Sequence, residues 1–111
     1  MRRVVAVGYP HHVTQRGNFR RDVFHDEEDR ETYLDLLATA AADAQLQILG
    51  YCLLSNHVHL VVIPEREDAM GLAFRRVHGS YSRWLNIRFR RLGHAWQSRP
   101  YSPRFEPVPT R

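Results

Sequence analysis

A chain of 111 residues with 43% hydrophobic and 25% charged residues is one ordinary globular domain, large enough to bury a modest core without staples. The single cysteine, Cys52, excludes a disulfide framework and a multi-cysteine zinc site. No apolar run approaches the roughly 18 residues of a membrane span, and none has the length of a signal-peptide core, so a cytoplasmic location and no membrane contact are expected.

The positive charge is sixteen Arg and no Lys, and it is unevenly spread. Nine Arg stand against Glu106 alone over residues 75–111, while seven acids crowd residues 22–35. The guanidinium fork matches phosphate oxygens, so a local basic surface points to nucleic acid. A solvated, arginine-rich helix face is the plainer reading of the same residues.

The first predicted strand lies in "GYPHHVTQRGN", residues 8–18, where His12, Thr14 and Arg16 alternate with His11, Val13 and Gln15 before a Gly17-Asn18 turn. A helix follows from an Asp26 N-cap to about Ala44. Acids Glu27, Glu28 and Asp29 suit its positive end, and Tyr33, Leu37, Ala40, Ala41 and Ala44 recur at helical spacing. "LQILGYCLL" and "HVHLVVIP", separated by Ser55-Asn56, read as a β-hairpin ending at Pro64, with Cys52 expected to be a buried, inert thiol. Phe74, Val77, Tyr81, Trp84 or Leu85, and Arg88 recur at three and four and mark a second helix over 68–91, with Gly93 just past its end. "AWQSR" could begin a fourth strand. The order is most of an α+β, ferredoxin-like βαββαβ sandwich, with helices on one sheet face and the other open to a ligand. Residues 1–99 form the domain. The four prolines in 100–111 exclude a helix or a central strand there, so this segment is expected to be a disordered Pro/Arg-rich tail.

The chemistry concentrates in "LLSNHVHLVVIP", residues 53–64. Strand alternation sends His57 and His59 to one face, with Cα atoms roughly 6.5 to 7 Å apart, and sends Val58, Leu60 and Val62 to the other. Two neutral imidazoles so spaced can share one Mn²⁺, Zn²⁺, Co²⁺ or Ni²⁺ ion, with a third ligand from elsewhere in the fold. The bland alternative is a pair of surface histidines on a solvated strand.

In order and separation, "VTQRGNFRRDVF", "YCLLSNHVHLVVIP" and "VHGSYSRWLNIRFRRLGHAWQSR" resemble the single-tyrosine HUH transposases, especially the REP-associated tyrosine transposase branch, over about residues 10–99. The resemblance implies a ferredoxin-like domain that binds single-stranded or hairpin DNA. It implies His57 and His59 as ligands of a divalent metal, Mg²⁺ or Mn²⁺, that polarises the scissile phosphate. Arg16, Asn18 and Arg99 fall in matching motifs as DNA contacts, and Arg16 and Asn18 could equally just close a turn. His12, on the neighbouring strand, is a candidate DNA contact or third metal ligand.

The family's nucleophilic tyrosine lies on a further helix after the Trp-Gln-x-Arg segment, and "WQSRPYSPRFEPVPTR" offers no such helix. A C-terminally truncated, cleavage-deficient transposase is therefore expected. Tyr81 is the substitute nucleophile to weigh, though its place on the stripe with Val77 and Leu85 suits a core role, and Tyr101 lacks a positioned partner. The alternatives are a cleaving enzyme that completes its site with a partner chain, as a homodimer could, and a domesticated single-stranded DNA-binding module or repressor without catalysis. An unrelated small metal-binding protein is a last option.

Overall fold

The computed structural model describes residues 5–93, 95–97 and 104–108. In chain order the elements are β1 (His11–Arg16), a single 3₁₀ turn (Asn18–Arg20), α1 (Glu27–Ala44), β2 (Leu46–Leu54), β3 (His57–Pro64), α2 (Ala69–Phe89) and β4 (Arg104–Pro107). The strands form one antiparallel sheet in the order β2-β3-β1-β4, which is the ferredoxin-like arrangement expected from the element order.

Each helix begins and ends for a local reason. The Asp26 side chain accepts the Asp29 N–H at 3.1 Å, and three acids occupy the first turn of α1, where the backbone N–H groups point out unpaired. At the other end Gln45 takes a left-handed φ of 60° and returns its N–H to α1. Helix α2 stops at Phe89 rather than 91, because Arg90 is its left-handed cap (φ 53°) and Gly93 lies further on.

The core lies between the helices and one face of the sheet. Val13 of β1 and Val58, Leu60 and Val62 of β3 meet Tyr33 and Leu37 of α1 and Phe74, Val77, Tyr81 and Leu85 of α2, all buried. Trp96 closes this core, packed on Phe24, Tyr33, His78 and Tyr81, with its indole N–H donated to the His78 carbonyl. Burying such large aromatic surfaces supplies much of the hydrophobic stabilisation of a small domain. Among the described residues, no helix is long and apolar enough to cross a membrane.

Three expectations are corrected. Within "AWQSR", Trp96 makes an isolated bridge to Gly17, and the fourth strand is instead 104–107, inside the segment expected to be disordered. Proline is tolerated there because β4 is an edge strand, paired only to β1. Cys52 is exposed, not buried: it sits opposite His59 on the uncovered side of β2, which is itself an edge strand.

Candidate metal and nucleic-acid site

The uncovered face of the sheet is built by strand alternation. Along β3 the pattern is strict, with Val58, Leu60, Val62 and Pro64 buried and His57, His59, Val61 and Ile63 half-buried on the other side. Register then decides the neighbours. Arg16 of β1 pairs with His57, Thr14 with His59 and His12 with Val61, so His12, Thr14 and Arg16 share the face with the two histidines. On the far side Leu54 pairs with His57 and Cys52 with His59.

The His57 and His59 rings lie 4.8 Å apart, nearly perpendicular. Nδ1 of His57 is 2.7 Å from Oδ1 of Asn56. An amide oxygen only accepts, so Nδ1 carries the hydrogen and Nε2 keeps its lone pair. Nδ1 of His59 is 2.9 Å from Nε2 of His12, whose ring stacks on it at 5.1 Å, and 3.4 Å from the Thr14 hydroxyl. The two ring nitrogens share one hydrogen; when His59 donates it, Nε2 of His59 also keeps a lone pair. Partial burial holds both histidines below the ordinary imidazole pKa, helped at His57 by the Arg16 guanidinium and at His59 by His57, His12 and Arg16. Near neutral pH both are uncharged imidazoles, the form that ligates metals.

The donor set therefore fits a borderline divalent cation, but only as a pair. Among the described residues no three His, Cys, Asp or Glu side chains converge on one point. The Nε2 of His12 meets His59 Nδ1. Further coordination would come from water, phosphate oxygen or groups outside the described residues.

Other candidates are placed as follows. Arg16 is exposed at the end of β1 beside His57. Asn18 is half-buried in the 3₁₀ turn, its N–H donated to the Ala95 carbonyl at 2.7 Å and its own carbonyl accepting from Arg21. Arg99 and Tyr101 lie outside the described residues. Tyr81 is fully buried, its hydroxyl donating to the Val23 carbonyl and its pKa pushed far up, first by burial. His11 is a structural histidine, with Nδ1 donating to the Tyr9 carbonyl and Nε2 accepting the Ala6 N–H. His78, buried between the helices and Trp96, meets the Tyr33 hydroxyl at 2.8 Å, and burial pushes its pKa down to about 3.

Asn56 was not singled out as a site residue by sequence reasoning, which read it as half of a hairpin turn and as part of the Asn-His-x-His stretch; its position directly before His57 lets its side chain meet that ring.

A model of the family described as IS200-like transposase matches residues 6–110. Among solved structures, the chain resembles a REP-associated tyrosine transposase bound to a REP hairpin, with a TM-score of 0.76 and 17% identity, covering 100% of this chain and 62% of that one. It also resembles a candidate transposase from Deinococcus radiodurans R1, with a TM-score of 0.68 and 19% identity, covering 98% of this chain and 85% of that one. The chain thus spans less than two thirds of the first of these proteins. No curated protein matches it.

Proposed function

The chain belongs to the IS200-like transposase family, and from that membership we propose that it binds single-stranded, hairpin-bearing DNA across the open sheet face, with His57 and His59 holding Mg²⁺ or Mn²⁺ against one backbone phosphate. The observation that carries the reading is the pair of neutral imidazoles, each with one ring nitrogen committed to an orienting neighbour, beside an exposed arginine. Asn56 would fix the tautomer of His57, and His12 that of His59, as outer-shell partners do for metal-ligating histidines. Arg16 would hold a phosphate oxygen next to the pair. The metal, when bound, supplies Lewis-acid polarisation of the phosphodiester.

We propose further that the 111-residue chain alone does not cleave. Cleavage would need a phenol able to reach that phosphate and become nucleophilic. Among the described tyrosines, Tyr33 and Tyr81 are buried with raised pKa values and their hydroxyls committed to His78 and Val23. Tyr51 pairs with Leu60 and so lies on the side of the sheet away from His59. Tyr9 precedes β1 at the end opposite Arg16.

The test has two readouts. Calorimetry of Mn²⁺ into the chain should show binding that His57→Ala and His59→Ala each abolish, with unchanged circular dichroism. Equal binding in wild type and variants sinks the metal assignment. Incubation with hairpin DNA and Mn²⁺ should give no detergent-resistant protein-DNA adduct on a denaturing gel. An adduct lost on a single Tyr→Phe change would instead make this chain a complete cleaving enzyme.

A further inference from the structure

The segment joining β1 to α1 holds two successive non-glycine residues in the left-handed region, Phe19 (φ 53°) and Arg20 (φ 59°). The other described non-glycine residues of this kind, Gln45 and Arg90, are helix caps, where that conformation is routine. An aromatic residue adopts it at a cost and persists in it only where the surroundings over-determine the backbone. Here they do. The Gly17 N–H bonds the Asn56 carbonyl at 2.8 Å, Asn18 bonds Ala95, Arg20 bonds Gly17 and Arg21 bonds Asn18. Gly17 itself has no room for a side chain, since a Cβ would stand 2.2 Å from the Arg21 carbonyl oxygen.

A segment this firmly tied nevertheless leaves Phe19 83% exposed. Slack cannot explain the exposure. The ring is flanked in sequence by Arg16, Arg20 and Arg21, all exposed, and among the described residues none of the three has an ion-pair partner. Asp22 is the one nearby acid in this stretch. The same segment is bonded to Asn56, the residue that orients His57, and Arg16 is in register with His57. An exposed aromatic side chain flanked in sequence by exposed, unpaired arginines suits the chemistry of a nucleotide: the base stacks on the ring and the phosphates on either side meet the arginines.

We propose that Phe19 is a preformed stacking platform for one unpaired nucleobase, next to the phosphate held at His57 and His59, with Arg16, Arg20 and Arg21 on the flanking phosphates. This rests on the DNA-binding reading above and adds which base contact the domain makes. Because stacking is read through the π-face, the platform is tolerant of base identity.

The experiment is fluorescence anisotropy with the full chain and two labelled DNAs: a hairpin with a single-stranded flank, and the same hairpin with abasic sites throughout the flank. Phe19→Ala should bind the intact DNA about 5- to 150-fold more weakly than wild type. Phe19→Trp should bind as wild type does, and wild type and Phe19→Ala should bind the abasic DNA equally. Since the ring touches solvent, circular dichroism of the variants should be unchanged. If wild type binds but Phe19→Ala binds the intact DNA just as well, the platform is overturned while the DNA-binding reading stands, and the ring belongs to a protein contact. If Phe19→Ala weakens both DNAs alike, the ring reads no base and the platform is overturned. If wild type binds neither DNA at low salt, the DNA-binding reading fails and the platform with it.

Discussion

His57 is distinguished from the other histidines by what its nitrogens are left to do. His11 spends both on backbone groups, and His78 is sealed in the core, whereas His57 has one nitrogen fixed by Asn56 and the other available. Outer-shell partners of this kind are worth about 10- to 100-fold in metal affinity. Asn56→Ala and His12→Ala should each weaken Mn²⁺ binding by about that factor in calorimetry, without the complete loss expected of the ligand variants. An unchanged affinity would reduce both contacts to packing. His78 makes a prediction about pH. Its folded pKa of about 3 lies below the ordinary 6.5, so below pH 6.5 the unfolded chain takes up a proton that the folded chain refuses. Stability should therefore fall as pH drops from 6.5 towards 3, by up to about 1.4 kcal/mol per pH unit from this group. Urea midpoints measured between pH 7 and pH 4 should show that slope, and His78→Phe should flatten it; an equal slope in the variant would assign the acid sensitivity to other groups. The spacing of His57 and His59 was legible because alternation along a strand is local. The role of His12 was not, because its contact with His59 spans 47 positions and depends on strand register.

At the scale of elements, the two helices are joined at one end by ions. The N–H and ring Nδ1 of His25 both meet the buried Asp29 carboxylate, and Arg88 of α2 binds Asp29 as well as Asp26. Arg88 in turn holds the Asp26 carboxyl well below the usual carboxylate range, so the N-cap of α1 stays ionised in acid. Removing one member of a buried, hydrogen-bonded charge set strands its partners. Asp29→Ala should cost about 3 kcal/mol in urea unfolding, and a loss under about 1 kcal/mol would mean that water takes over the Asp29 contacts. None of this was visible in the sequence beyond the suitability of acids in the first turn of α1. The hairpin, by contrast, was legible to its last residue, because apolar runs of eight and nine residues flank a two-residue polar turn. Strand β4 was missed for an equally definite reason. Proline removes a ladder donor, which disqualifies a central strand but not an edge, and nothing local says which edge is vacant.

Across the whole molecule, charge is sorted by partnership as much as by position. Asp26, Glu28 and Asp29 at the start of α1 are answered by Arg88, with His25 also on Asp29, and Asp43 by Arg76. What remains unanswered among the described residues includes Arg16, in register with His57, and Arg20 and Arg21 in the turn that follows β1. Composition announced an excess of arginine concentrated in the second half of the chain, where Arg75, Arg83, Arg90 and Arg91 likewise have no ion-pair partner among the described residues; tertiary contacts add Arg16, Arg20 and Arg21 in the first half to that unpaired set. The consequence is measurable. Each phosphate neutralised on a single strand releases counterions, so the logarithm of the affinity falls linearly with the logarithm of salt concentration, with a slope of about −0.7 per contact. If Arg16, Arg20 and Arg21 each hold one phosphate, replacing all three with Gln should make the slope shallower by about 2. Replacing Arg88 should leave the slope unaltered, since its charge is already matched within the protein. A slope indifferent to the triple change would move the DNA path off this end of β1 and onto the arginines of α2 and its C-cap, where Arg75, Arg83 and Arg90 are also exposed.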